Sequence, residues 1–215
     1  MQKYIKTGLL IVVLVLPVLI FIFLQGYTTN HFDLPYHVPL RDPATNEVII
    51  KNGDTAFYQL EKFSLSSIDT PSTITATELG DKITVVSAFK GSCDGECEKV
   101  LSRLTRIREL HESFPSLTIL TILTTDDTTL VKKITDRQKA GWLVARVPED
   151  VYDVVTQDIF HMSTLEKTQT ISEYKPFSLI DRKGFIRGYY DAQKDEEIDR
   201  LLAEIRVLEY NKKTE

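Results

Sequence analysis

The sequence has few of the residues that carry most metal and nucleophile chemistry. Its 215 residues include two cysteines, four histidines, two methionines and one tryptophan. Neither a zinc-ligand spacing nor a P-loop nor a Ser–His–Asp order is evident in it. Any site chemistry therefore has to come from a very small set of side chains, and the two cysteines are the first of them to consider.

Basic residues are fewer than acidic ones. All 31 acidic residues and all but two of the 26 basic ones follow residue 25, so that part of the chain carries a net negative charge. The basic residues do not form a concentrated stripe, which a protein that binds a phosphate backbone requires. We therefore exclude nucleic acid as a partner.

Charge is absent from one stretch near the N-terminus. Residues 8–24 are apolar and uncharged, and their length is near the lower limit for a helix that spans a bilayer. The first alanine of the chain is Ala44, so the small residues of a signal-peptide cleavage site are missing. The first cysteine is Cys93, which excludes a lipobox. We expect an uncleaved membrane anchor over residues 1–25, with a cleaved signal peptide as the alternative.

The charges around this apolar stretch predict its orientation. Lys3 and Lys6 are the only charged residues before it, and positively charged flanks stay in the cytoplasm. The prediction is a single-pass protein of the cytoplasmic membrane, with residues 26–215 on the extracytoplasmic (periplasmic) side. A hydrophobic content of 42% fits one globular domain with a real core. We expect a linker over residues 26–56, a domain over residues 57–210 and a tail over residues 211–215.

The domain shows alternating strand and helix patterns. Residues 83–89 and 117–123 are buried, β-branched strands, and the residues between them recur at helical spacing. Further elements are predicted at residues 63–65 and 143–147 (strands), 127–139, 148–160 and 195–210 (helices), and 177–190 (a hairpin). This order predicts an α/β fold, a thioredoxin-like mixed-sheet sandwich preceded by an N-terminal transmembrane helix.

Cys93 and Cys97 lie four residues apart where the first of these helices begins. On a helix that spacing puts the two Cα atoms roughly 6 Å apart, which a disulfide can bridge and which also lets two sulfurs hold one soft metal ion. The helix N-terminus and Lys90 favour a thiolate, whereas Asp94, Glu96 and Glu98 oppose it. We expect a redox or copper site with a slower nucleophile than that of a Cys-x-x-Cys motif. The alternative is a structural or vestigial disulfide.

Several stretches, in order, resemble the SCO/SenC family of membrane-tethered cytochrome oxidase assembly proteins. They are FSL at 63–65, ELGDKITVVSAF at 78–89, the Cys-x-x-x-Cys motif, LTTDDTTLVKKI at 123–134, Trp142 with PEDVYDVV at 148–155, and SLIDRKG at 178–184. The resemblance implies a thioredoxin fold and a copper site made by the two cysteines and a distal histidine. It also implies that the protein delivers copper to the binuclear centre of an oxidase, or reduces the cysteines of that centre.

The sequence departs from this pattern at the distal histidine, where Glu173 stands instead. Two thiolates can still bind Cu(I), but the loss weakens a Cu(II) site. His161, with Met162 beside it, is the candidate substitute ligand in the loop that follows residue 160. The metal-site candidates are therefore Cys93, Cys97, His161 and Glu173, and the two cysteines are also the candidate catalytic residues.

Three functions remain open at this point. The first is a copper-handling or thiol-redox assembly factor, whose partner is a respiratory oxidase subunit or another exported thiol protein. The second is a thiol-disulfide oxidoreductase of the thioredoxin-like type, an enzyme that works without copper. The third is a divergent binding module with vestigial cysteines. The order of the family-like stretches favours the first, and the missing histidine favours the second over it.

Overall fold

The computed structural model describes residues 13–23, 34–68, 71–90, 95–124, 128–162 and 177–211. The chain divides into two compact units, Met1–Asp33 and Leu34–Glu215. In the first unit, residues 13–23 are helical. Within the described ranges, no helix combines the length and the apolar character needed to cross a bilayer. Residues 1–12 and 24–25 of the expected anchor lie outside those ranges.

The second unit contains one large mixed sheet and a small hairpin. Its strands are β1 (Ile50–Lys51), β2 (Asp54–Thr55), β3 (Ser64–Ser67), β4 (Thr73–Thr75), β5 (Ile83–Phe89), β6 (Leu117–Leu123), β7 (Trp142–Arg146), β8 (Phe177–Ile180) and β9 (Ile186–Tyr190). Its helices are α1 (Ala76–Leu79), α2 (Gly95–Glu109), α3 (Thr128–Thr135), α4 (Glu149–Asp153) and α5 (Asp195–Asn211). A 3-10 turn, Leu110–Glu112, follows α2, and a π-helical segment, Val154–Ile159, follows α4.

The strand order in the large sheet is β4-β3-β7-β6-β5-β8-β9. The central strands β5, β6 and β7 are parallel, and β8 pairs antiparallel with β5. Every residue of β5 and β6 is buried, because helices or loops cover both faces of a parallel sheet. This explains why both strands are continuous apolar or β-branched runs. The α/β mixed-sheet fold predicted from the sequence is confirmed.

Alternate residues of the central strands face two separate apolar clusters. Val85 belongs to the cluster that α2, α3 and α5 complete, and Val86 to the cluster on the opposite face, which includes residues of α4 and the π-helical segment. We call these the α2-side cluster and the α4-side cluster. Cys97 belongs to the α2-side cluster, so a loop residue buried in the α4-side cluster lies on the other face of the sheet.

Most predicted elements are present, with shifts at their ends. The predicted strands at 83–89 and 117–123 match β5 and β6, and the strand predicted at 143–147 is Trp142–Arg146. The helix predicted at 127–139 is shorter in the structure, Thr128–Thr135. The sequence did not indicate β4 or α1, since three or four residues are too few to show a period.

Residues 34–37, at the start of the described part of the expected linker, pack against the β8–β9 hairpin. Arg187 Nη1 lies 2.9 Å from Asp181 Oδ2, and the guanidinium also donates a hydrogen bond to the carbonyl of Leu34. The same guanidinium lies 3.9 Å from the ring centroid of Tyr36. The backbone N–H of His37 donates to Ile186 O at 2.9 Å. The compact unit therefore begins at Leu34, about twenty residues before the expected domain boundary.

Replacing Arg187 by methionine is expected to lower the free energy of unfolding by about 3 kcal/mol, because the buried carboxylate of Asp181 loses its cation. The Arg187 and Asp181 side chains are only 4% and 10% exposed. The measurement is urea unfolding followed by circular dichroism. Arg106→Met is the matched control, since its ion pair with Asp199 is exposed and should contribute less than about 1 kcal/mol. Equal losses in the two variants would contradict the prediction.

Candidate functional site

Cys97 lies in the first turn of α2, just beyond the carboxyl end of β5. Its side chain is fully buried and belongs to the α2-side cluster, together with Phe89, Leu123 and Phe177. Since the carboxyl ends of parallel strands are where open α/β sheets place their working residues, this position fits a functional thiol. The predicted location of the cysteine motif at a helix start is confirmed for Cys97.

Cys97 is disulfide-bonded. None of the cysteines among the described residues is free. The sequence offers one other cysteine, Cys93, which lies outside the described residues, as does Glu173. The roles predicted for Cys93 and Glu173 therefore stay predictions. The bond at Cys97 fits a redox pair and equally the structural disulfide that is the alternative, so the redox role also stays a prediction.

The carboxylate of Glu98, next to Cys97, is paired with two cations. Arg137 Nη2 donates a hydrogen bond to Glu98 Oε1, and Lys133 Nζ lies 3.6 Å from Glu98 Oε2. Lys133 is on α3 and Arg137 lies two residues after the end of that helix, and both reach the start of α2. The charge of Glu98 opposes a thiolate at this turn less than the sequence suggests, because two positive charges offset it.

Glu96 and Lys90, two further charges near the motif, also have partners. Gln193 Nε2 donates a 2.9 Å hydrogen bond to Glu96 Oε2. Lys90, which follows β5, lies 3.7 Å from Glu149 Oε1 and 5.7 Å from the ring centroid of Tyr152. Burial, aided by the charge of Asp153, raises the pKa of Tyr152 well above its usual range, so this ring stays neutral. Both of these Lys90 contacts are with α4.

His161 and Met162 lie on a different part of the fold from Cys97. Met162 is fully buried in the α4-side cluster, on the sheet face opposite the cluster of Cys97. The His161 ring packs edge-on against Tyr58 with centroids 4.4 Å apart. Burial lowers the pKa of His161, a shift that the charge of Asp158 only partly offsets. The described geometry therefore does not bring this pair together with Cys97, and His161 as a copper ligand stays a prediction that requires the loop to move.

His111 has a structural position at the far end of β6. Its Nδ1 lies 2.7 Å from the carbonyl oxygen of Leu117, the first residue of that strand. The ring also fills the space beside Gly141, which has a positive φ of 83° and where any Cβ would overlap the imidazole. Among the described residues, no group of three or more His, Cys, Asp or Glu side chains forms a metal cluster.

Sequence reasoning missed Lys133 and Arg137 as neighbours of the cysteine motif. The two residues are four apart, so a helix through this region carries them on one face, and that spacing is a signal. What the sequence could not supply was the packing of α3 against the start of α2. Only that packing identifies Glu98 as the carboxylate they neutralise.

No protein-family model matches the sequence, and no curated protein matches it. Solved structures do match. BsSco, "a member of the Sco family of cytochrome c oxidase assembly proteins" in which a disulfide switch was identified, has a TM-score of 0.56 at 14% identity, covering 70% of this chain and 93% of BsSco. Arabidopsis thaliana ScoI, with copper bound, has a TM-score of 0.51 at 16% identity, covering 69% of this chain and 99% of that one.

A third match comes from the thioredoxins. A putative thioredoxin from Neisseria meningitidis has a TM-score of 0.52 at 20% identity, covering 73% of this chain and 93% of that one. The fold is therefore thioredoxin-like, and it is the fold of the Sco proteins. The resemblance to the SCO/SenC family that the sequence indicated is confirmed at the level of fold.

Proposed function

We propose that this protein is a membrane-anchored, exported assembly factor that handles copper or exchanges thiols for a respiratory oxidase through Cys93 and Cys97. The observation that carries the proposal is the disulfide-bonded Cys97 in the first turn of the helix after β5. Its thioredoxin-like fold has the same architecture as copper-bound ScoI and as BsSco with its disulfide switch. The family-like order of sequence stretches points to the same function.

The two cysteines have different roles in this proposal. Because the Cys97 side chain is fully buried, it cannot meet a partner protein directly. Cys93 precedes the helix and is the attacking thiol; Cys97 closes the disulfide that releases the partner. When both are reduced, the two thiolates form a donor set that suits Cu(I), which soft sulfur ligands select. Copper is then the cargo, and its recipient is a respiratory oxidase subunit or another exported thiol protein.

The experiment that tests this function counts thiols. The chain is purified in air or after reduction, denatured, alkylated and weighed by mass spectrometry. We expect two more alkyl groups per chain after reduction, because the pair opens and closes within one molecule. Cys97→Ser is the control, and its mass should not show this two-group difference. If the wild-type chain is alkylated equally in both states, Cys93 and Cys97 are not a redox pair.

Membrane anchoring and export have a separate test. Because Lys3 and Lys6 are the only charges before the apolar stretch, a reporter that is active only outside the cytoplasm should be active when fused after Glu215. Alkaline phosphatase is such a reporter, and a fusion of β-galactosidase at the same place should be inactive. The opposite pair of results would overturn the orientation and with it the exported function.

A thiol-disulfide oxidoreductase without copper is the second candidate. Two observations favour it: the sheet-face separation of Met162 from Cys97, and the match to a thioredoxin. In this function the same Cys93 attack and Cys97 closure occur, but no third ligand is needed. Reduced protein that reduces a test disulfide in a Cys93-dependent manner, yet binds no Cu(I), would support this candidate over the first.

A further inference from the structure

An aromatic cavity lies at the opposite end of the sheet from the cysteine motif. Its volume is about 910 Å³, and four aromatic side chains line it: Tyr36, Phe57, Tyr58 and Phe185. Phe185 directly precedes β9, next to the pairing of Ile180 with Thr84 near the start of β5. Since β5 is seven residues long, the cavity is ~20 Å from the cysteine end of that strand. The two sites are therefore physically separate.

The volume and aromatic lining of this cavity fall within the range of ligand sites, and the cavity is open to solvent. Pockets that bind ligands usually enclose about 300–1,000 Å³ and combine apolar or aromatic walls with a few polar groups. Here the rings are held firmly: Tyr36 lies 5.3 Å from Phe57 and 5.2 Å from Phe185 between ring centroids. The backbone around them is fixed as well, through an isolated bridge between Pro39 and Phe57 and one between Gln59 and Phe185.

The charges at the cavity indicate the sign of its ligand. Asp54 and Glu61 line it and are exposed, and neither has an ion-pair partner among the described residues. Lys51 is the one basic residue of the lining. Two carboxylates against one ammonium leave a net negative charge beside the rings, since the cation that packs on Tyr36, Arg187, is already paired with Asp181. An anionic ligand, including an anionic lipid headgroup, is thereby disfavoured.

The aromatic group already binds one cation from within the chain. The guanidinium carbon of Arg187 lies 3.9 Å from the ring centroid of Tyr36, which is a cation–π contact. A guanidinium therefore packs on one ring of this lining, that of Tyr36. The cavity offers further aromatic surface of the same kind from Phe57, Tyr58 and Phe185, now with carboxylates beside it.

We infer that this cavity binds an arginine side chain carried on an apolar segment of a partner protein, with the aromatic rings packing on the segment and Asp54 and Glu61 pairing with its charge. The inference does not depend on the redox or copper chemistry of Cys93 and Cys97. It adds a docking site at the other end of the domain, so a partner could remain bound while its own thiols or metal site are presented elsewhere.

The test is calorimetric titration of the full chain, in a nonionic detergent at low salt, with the peptide acetyl-Leu-Arg-Leu-amide. The matched probe is acetyl-Leu-citrulline-Leu-amide, which has nearly the same shape and no charge. We expect saturable binding of the arginine peptide, about tenfold tighter than that of the citrulline peptide. Absence of saturable binding, or equal affinity for both peptides, would overturn the inference.

Three variants locate the binding. The double change Asp54→Asn with Glu61→Gln should reduce the preference for the arginine peptide to about twofold or less, because it removes both carboxylates from the lining. Lys51→Gln should increase that preference, because it makes the net charge beside the rings more negative. Asp150→Asn with Asp153→Asn removes the same number of carboxylates from α4 and should leave the preference unchanged. If this control pair weakens binding as much as the cavity pair does, the peptide is attracted by overall negative charge and the site is wrong.

Discussion

Cys97→Ser should accumulate a mixed disulfide at Cys93, whereas Cys93→Ser should not form one at Cys97. Because the Cys97 side chain is fully buried, a disulfide in solution reaches it slowly, while the position four residues earlier precedes the helix. With oxidised glutathione as the test disulfide, the Cys93 thiolate attacks one sulfur and one glutathione leaves. The second glutathione stays joined to Cys93, and without Cys97 no thiol in the chain displaces it. About one glutathione per chain should therefore remain bound. Intact mass spectrometry measures it.

The controls test whether burial of Cys97, and not a difference in intrinsic reactivity between the two thiols, causes this asymmetry. Reduced wild-type protein should end as an intramolecular disulfide with no glutathione attached, because Cys97 displaces it. In denaturant the two single variants should react at similar rates, since burial no longer protects Cys97. If folded Cys93→Ser gains glutathione as fast as folded Cys97→Ser does, the assignment of the attacking and closing thiols is wrong.

Reduced protein should bind one Cu(I), and either Cys93→Ser or Cys97→Ser should abolish that binding. The reason is that two thiolates are the soft ligands that Cu(I) selects, and one alone is not enough to hold it. The measurement is metal content after gel filtration, with a competing Cu(I) chelator present to exclude loosely bound metal. A reduced protein that retains no copper while still reducing a disulfide would contradict the copper proposal and leave the oxidoreductase.

Cu(II) binding tests whether a histidine completes the site, because Cu(II) prefers imidazole among its ligands. Glu173→His should produce or strengthen a Cu(II)-thiolate absorption band, since it restores a histidine where the family resemblance expects one. His161→Ala should leave Cu(I) binding nearly intact, and it should remove a Cu(II) band only if the loop closes over the site. Because His161 packs on Tyr58 and Met162 lies on the sheet face opposite the cluster of Cys97, we expect that band to be weak in the wild-type protein.

The central strands were predictable because their signal is local. β5 and β6 are short, mainly apolar runs rich in β-branched residues, and the helical period that follows β5 begins close to Cys97. Two cysteines four apart at that point predicted a site, and Cys97 is disulfide-bonded at the start of this helix. These features depend on neighbouring residues, so the sequence carries them directly.

Residues 34–56 illustrate what the sequence could not reveal. The prolines, asparagines and glycine of this segment are typical of a linker, yet Leu34, Tyr36 and His37 contact the β8–β9 hairpin, some 150 residues away.

The loop after Phe160 is a second example. Its histidine and methionine are close to the expected ligand position in sequence, but the sheet separates Met162 from Cys97.

By itself, the sequence determined the order of the central strands and the longer helices, the position of Cys97 at a helix start, and the charge pattern that predicts export. The tertiary structure alone decided that Lys133 and Arg137 neutralise Glu98, that Met162 faces away from Cys97, and that four distant aromatic residues form a cavity. The reason is physical. Periodicity and capping act over a few residues, whereas burial and ion pairing depend on which surfaces the folded chain brings together.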